Sequence, residues 1–302
     1  MSISLRTWTQ DDLATVRAIA THESLARDFD WMQDDGIELL HTDPFFDFAT
    51  RVLAERDGVP AGFGFAFEFG AAGSHPWAFL RAGVLEGQRR HGIGSRLLVE
   101  LESRVQAAGM RLDELCFAAW EPCLEVRAFA ERHGYTPVRR YWRMARPVDA
   151  AGPPEWPDGV TVRPFDGTEA ALNDWNDIYN DSFSEHYHYF TSTVEDTRRI
   201  AASPRFEPAG LLLAYRGQRC VGFCRNQMHT DRGDVEMLGV TQAERGIGLG
   251  RALLRWGVGW IGERRPPRIT LMVDGDNESA LALYHDEGFT TERTRTMFAK
   301  PF

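Results

Sequence analysis

The stretch "VTQAERGIGLGRALLRWG" (Val240–Gly257) places glycines at 246, 248 and 250, directly after a strand-like run and directly before helix-forming residues. A strand that feeds straight into a helix leaves the first helical N–H groups without intrahelical partners, and the aligned peptide dipoles add partial positive charge there. Such a junction binds anions, phosphate above all. Glycines let the backbone approach phosphate oxygens without Cβ interference, and Arg245 and Arg251 add charge beside them. One copy alone is equally well an ordinary tight turn. A second stretch, "VLEGQRRHGIGSRLLVELES" (Val84–Ser103), repeats the pattern and points to a phosphate cradle in each copy.

The duplication extends over most of the chain. Arg89, Gly92 and Gly94 match Arg245, Gly248 and Gly250 at an offset of 245 − 89 = 156. "ISLRTW" (Ile3–Trp8) resembles "VTVRPF" (Val160–Phe165) at an offset of 157, and "FAERHGY" (Phe129–Tyr135) resembles "LYHDEGF" (Leu283–Phe289) at 154. Three landmarks in one order with nearly constant offset define two copies of one domain. The expected division is residues 1–146, a Pro- and Gly-rich linker at 147–159, and residues 160–302. In the second copy, "GVTVRPF" reads as a strand and "EAALNDWNDIYN" as a helix. "GLLLAYRGQRCVGFCRNQMH" reads as a hairpin turning at Arg216, Gly217 and Gln218. A strand, a helix, a strand, a helix and one or two closing strands follow. An antiparallel hairpin joined to a later strand–helix–strand crossover predicts an α/β fold, an α+β mixed sheet, in each half.

Composition narrows the function. A net charge of −10 argues against a non-specific nucleic-acid binder, whose backbone contacts reward a basic face. No window of about 18 apolar residues occurs, and the N-terminus lacks a cationic stretch followed by an apolar one, so no membrane partner is expected and the cytoplasm is the default. Cys116, Cys123, Cys220 and Cys224 are too few for a disulfide framework and show no C-x-x-C spacing. Neither glycine loop is a P-loop, for want of a lysine followed by a hydroxyl, and neither completes G-x-G-x-x-G, because Arg251 and Leu97 stand at the third position.

Both loops do fit R-x-x-G-x-G, as "RGIGLG" and "RRHGIG". In this the chain resembles the GNAT superfamily of acetyl-CoA-dependent N-acyltransferases, arranged as two tandem GNAT-like domains. A later segment, "NESALALYHDEGF" (Asn277–Phe289), fits that family's N-x-x-A-x-x-x-Y-x-x-x-G-F pattern. The resemblance implies acetyl-CoA as co-substrate, a small-molecule amine as acceptor and no metal. It implies that coenzyme A is held by Leu238, Gly239, Val240, Arg245, Gly246, Ile247, Gly248, Leu249, Gly250, Arg251 and Asn277. The first-copy counterparts are Gly83, Val84, Arg89, Arg90, Gly92, Ile93, Gly94 and Ser95.

Acetyl transfer to an amine requires a neutral amine, a polarised carbonyl and a thiolate that regains its proton. Period-2 alternation in the strand before the second loop predicts Asp234, Glu236 and Leu238 on one face. The family's usual acid lies six residues before the last apolar residue of this strand, which places the base at Asp234, with Glu236 as the alternative. Tyr284 falls where the resemblance implies the general acid. The same count in the first copy lands on Ala78, and Ala130 stands opposite Tyr284, so the first domain is expected to hold coenzyme A without turnover. For the acceptor, Glu185, His186, Tyr187 and His188 form the expected polar and aromatic wall. His186 and His188, two residues apart without a third ligand, make only a weak case for a metal, and none is expected.

Overall fold

The computed structural model describes residues 2–30, 36–37, 50–69, 76–109, 111–148 and 152–302; residues 149–151 of the expected linker lie outside this set. The chain divides into two compact units, residues 1–138 with 296–302, and residues 139–295. None of the described helices is long and apolar enough to cross a membrane.

In unit 1, β1 (Ile3–Arg6), β2 (Thr50–Arg56), β3 (Val59–Phe69) and β4 (Trp77–Val84) form an antiparallel meander. β5 (Glu114–Trp120) pairs in parallel with β4, and the end of the last strand lies beside it. Helix α1 (Leu13–Ala20) buries Val16, Ile19 and Ala20 on one face of the sheet, in a cluster with Phe63 and Phe65. On the other face, α2 (Ile93–Ala107) buries Ile93, Leu97, Leu98, Leu101 and Val105, a spacing that lines one helical stripe. Helix α3 (Leu124–Arg132) closes the order.

Unit 2 repeats this plan. Its strands run in the order β6, β11, β10, β9, β8, β7: Thr136–Arg146, Ile269–Asp274, Gly233–Val240, Arg219–Met228, Leu211–Arg216 and Val160–Pro164. The expected hairpin is present as β8 and β9. Helix α4 (Glu169–Phe183) is capped by Thr168, whose Oγ1 accepts from the Ala171 N–H at 3.2 Å, and α5 (Val194–Ala202) by a Thr193–Asp196 capping box. Both cover one face. The other carries α6 (Leu249–Gly262) and α7 (Glu278–Asp286), packed on Val235, Val240, Leu271 and Val273. From Arg139 onward β6 belongs to unit 2, and from Thr296 onward β12 (Thr290–Pro301) belongs to unit 1.

Candidate active site

The two glycine turns have one backbone. Each follows a single 3-10 turn, Glu86–Gln88 or Gln242–Glu244, and each helix starts from a left-handed glycine, Gly92 at φ 82° and Gly248 at φ 93°. The preceding left-handed position is Gly246 (φ 82°) in unit 2 and Arg90 (φ 65°) in unit 1, a conformation costly for a residue with a Cβ. The helical ladder begins with Ala252 N–H to Gly248 C=O at 3.0 Å and Arg96 N–H to Gly92 C=O at 3.1 Å. The amides of Leu249, Gly250 and Arg251, and of Ile93, Gly94 and Ser95, precede it at the helix N-terminus, where intrahelical partners are lacking. A Cβ added at Gly246, Gly248 or Gly92 meets nothing within 4 Å, so these glycines face open space rather than packing.

The arginines beside the turns serve the fold. Arg245 donates through Nε to the Val240 carbonyl (3.3 Å) and through Nη2 to the Ser182 carbonyl (3.2 Å), while Nη1 meets Glu185. Arg89 repeats this, bonding the Val84 and Ser24 carbonyls at 3.1 Å each. Arg251 is ion-paired with Asp286 and Glu287 on and just past α7. Arg89 and Arg245 thus fasten each turn to the end of the strand before it and to the Ser24 or Ser182 carbonyl.

Above the turns, the sheet opens. β10 pairs with β11 only at Gly233–Val235 opposite Ile269–Leu271, whereas its partnership with β9 continues to Val240. One backbone edge of Leu238, Gly239 and Val240 therefore faces a slot rather than a strand. In unit 1, β4 leaves β5 after Phe79. There the opening is a cavity of about 830 Å³, lined by Gly83, Val84, Arg89, Gly92, Ser95 and Phe129 among others.

A β-bulge at Glu236 corrects the expected alternation. The ladder between β9 and β10 shifts between Val235 and Met237. Val235 packs beneath α6, Met237 lies on the α4 side, and Leu238 returns to the α6 side. An extra residue reverses the pleat, so Asp234 and Leu238 fall on opposite faces. The bulge also moves the correspondence between the halves by one. Gly222 pairs with Val240 as Gly62 pairs with Val84, but Asn226 pairs with Val235 where Ala66 pairs with Leu80. The unit 1 counterpart of Asp234 is therefore Phe79 rather than Ala78, and Glu236 has none.

Asp234 is held by three side chains. His229 Nε2 lies 2.9 Å from Oδ2, Arg232 Nε donates to Oδ1 and Oδ2 at 3.2 and 3.3 Å, and the Thr270 hydroxyl donates to Oδ1. Burial pushes this carboxyl up, but the His229 hydrogen bond and the charges of Arg232 and His229 outweigh it and hold it down at about 2. Glu236 is paired with Arg225, whose guanidinium lies over Trp175. Tyr284 is buried on α7, edge-on to Phe289 at 6.1 Å, in the apolar cluster that contains Val240 and Cys224. Burial, with Cys224 nearby, pushes its hydroxyl well above the ordinary phenol range, so it stays protonated at neutral pH. Asp234 and Tyr284 thus flank β10 from opposite faces where it leaves β11. Asn277 caps α7, its Oδ1 accepting from the Ala280 N–H at 3.1 Å. Of the expected acceptor wall, Glu185 joins Arg245, and His186 packs tilted against Phe183 with its pKa lowered by burial. Tyr187 and His188 stack on each other, with Arg139 over the tyrosine ring. Sequence reasoning missed His229, Arg232 and Thr270, because their approach to Asp234 depends on a hairpin turn and a parallel partner whose registers spacing alone does not give.

A mixed sheet splayed beside a glycine turn, occurring twice, defines a coenzyme A-dependent acyltransferase fold. The model of the acetyltransferase (GNAT) family matches residues 9–135 and 172–289, and the chain belongs to that family of acetyl-CoA-dependent N-acyltransferases. It is similar to the mycothiol acetyltransferase of Thermomonospora curvata, at 34% identity over 254 residues, 83% of this chain and 82% of the relative. The enzyme of that name from Thermobispora bispora is 32% identical over 269 residues, 82% and 88% of the two chains. Among solved structures, a GCN5-related N-acetyltransferase from Sphaerobacter thermophilus superposes with a TM-score of 0.77 at 24% identity, covering 99% of this chain and 95% of its own. A tandem GNAT protein from the clavulanic acid biosynthesis pathway gives 0.73 at 14%, covering 99% and 98%.

Proposed function

We propose that unit 2 transfers an acetyl group from acetyl-CoA to the primary amine of a small molecule by direct attack in a ternary complex, and that unit 1 holds coenzyme A without turnover. The observation that carries this is the pairing, in unit 2 alone, of a bulged strand bearing Asp234 on one face with Tyr284 packed in the cluster on its other face. The pyrophosphate sits on the amides of Gly246–Arg251, and the pantetheine arm lies along the open edge of Leu238–Val240, where a strand N–H meets the thioester oxygen. The amine enters from the α4 face, past Glu185 and His186, and gives up its proton at the Asp234 end of the slot. Tyr284 donates to the departing sulfur. Unit 1 keeps the cradle, but has Phe79 and Ala130 where those groups stand. The name borne by the curated relatives makes a mycothiol-related amine the first acceptor to try.

The test is an acetyl-CoA-dependent screen of small amines, with the acetylated product read by mass spectrometry. Product formation at a rate that depends on both substrates supports the proposal. Coenzyme retention without product from any amine points instead to an acetyl-CoA-binding sensor, and product only from peptides or with longer acyl groups moves the substrate class.

A further inference from the structure

We propose that the group receiving the amine proton in unit 2 is the imidazole of His229, and that Asp234 is its positioning carboxylate rather than the base. This rests on the assignment of acetyl transfer to unit 2. The geometry around Asp234 leaves little choice. A carboxylate offers about four lone-pair sites. Here Oδ1 receives Arg232 Nε and the Thr270 hydroxyl, and Oδ2 receives His229 Nε2 and Arg232 Nε. Three donor hydrogens thus occupy the carboxylate, the Arg232 Nε–H shared between both oxygens, and an incoming amine or water competes with them. His229 offers the alternative. With Nε2 at 2.9 Å from an ionised oxygen, the ring proton sits on Nε2, and the unprotonated nitrogen of the neutral imidazole is Nδ1. The ring is held at the β9–β10 turn, where the His229 N–H bonds the Arg232 carbonyl at 2.8 Å. The charges around it are Asp234 on β10, Asp231 and Arg232 in the turn, and Arg268 just before β11, which pairs with Asp231 at 3.1 Å. Asp231 and Arg232 largely compensate each other, so Asp234 is the charge bonded to the ring.

The proton count closes. An ammonium acceptor passes one proton to His229 Nδ1, directly or through one water, and the neutral nitrogen attacks the thioester carbon. The C–N bond forms and the C–S bond breaks. The second proton shed by nitrogen neutralises the thiolate, relayed through the Tyr284 hydroxyl. The imidazolium returns its proton to solvent, and one proton is released per turnover.

The test uses the full chain, acetyl-CoA and glucosamine as the amine probe. His229→Gln is expected to lower kcat by about 10²–10⁴-fold with acetyl-CoA affinity unchanged, and to erase the rise of kcat/KM with pH that a general base produces. Asp234→Asn lowers kcat but keeps that rise, because the imidazole itself remains. A His229→Gln enzyme with wild-type kcat and the same inflection overturns the inference, as does loss of the inflection in Asp234→Asn alone. If wild-type enzyme turns over no amine, the assignment of acetyl transfer fails first. In that case nitrogen-15 NMR of the wild-type ring still decides on His229: a neutral tautomer protonated on Nδ1 overturns it, and one protonated on Nε2 upholds it.

Discussion

Unit 1 and unit 2 share a glycine turn, a bracing arginine and a sheet that splays beside the turn, and they differ at the places where chemistry would occur. Arg89 and Arg245 make the same two kinds of carbonyl contact, and Gly92 and Gly248 adopt the same left-handed conformation. Against this, β10 has a bulge that β4 lacks, Phe79 occupies the position equivalent to Asp234, and Ala130 the position equivalent to Tyr284. Holding a coenzyme and reacting with it thus draw on separable parts. The first needs backbone amides and an open strand edge, which many side chains permit. The second needs particular groups on the two faces of one strand, so a few substitutions remove it while the fold persists.

The largest expected effect is at Tyr284. Tyr284→Phe removes a hydroxyl and little packing, so steady-state kinetics should show kcat down by about 10²–10⁴-fold, with acetyl-CoA affinity spared. Wild-type kcat in this variant would erase the main chemical difference between the units. Next comes the pair of acids. Asp234→Asn should lower kcat at least 10-fold. Glu236→Gln, with its carboxylate already paired to Arg225, should change it only a few-fold; the reverse order would move the functional acid to the bulge.

Asp234 also leaves a mark on stability. Its carboxyl is held below its unfolded value, so its contribution is fully present above about pH 4 and is lost as pH falls towards 2. Urea unfolding should show Asp234→Asn lacking roughly 2 kcal/mol of the acid-dependent loss that wild type shows over that interval. The smallest effect belongs to unit 1. Arg90→Gly relieves a left-handed arginine and gives up an exposed ion pair with Glu125 at 3.2 Å, so unfolding free energy should move by less than about 1 kcal/mol. A larger loss would mean that Arg90 does more than occupy the Gly246 position.

Much of this was legible in the sequence. The duplication, the hairpin at Arg216–Gln218, the strand before each loop and the helix after it follow from glycine placement and from apolar periodicity, both local. The Asp234 and Tyr284 positions came from spacing within a resemblance. The bulge was not legible, because an extra residue in an eight-residue strand leaves composition unchanged and only the β9 register exposes it. The arginines were legible as charges but not as braces, since their carbonyl partners at Ser24 and Ser182 lie over 60 residues away. The His229 contact was hidden for a similar reason: it forms across a turn whose length sequence leaves open.

The division of labour is tested most directly by placing the same obstruction in each cradle and measuring coenzyme stoichiometry and turnover together. Gly248→Trp and Gly92→Trp each force a side chain into a left-handed position and into the open space over the turn. With circular dichroism confirming the fold, Gly248→Trp should lose one bound coenzyme and nearly all acetyl transfer. Gly92→Trp should lose one bound coenzyme and keep turnover near wild type. Abolished turnover in Gly92→Trp, or full turnover in Gly248→Trp, would contradict the assignment of chemistry to unit 2.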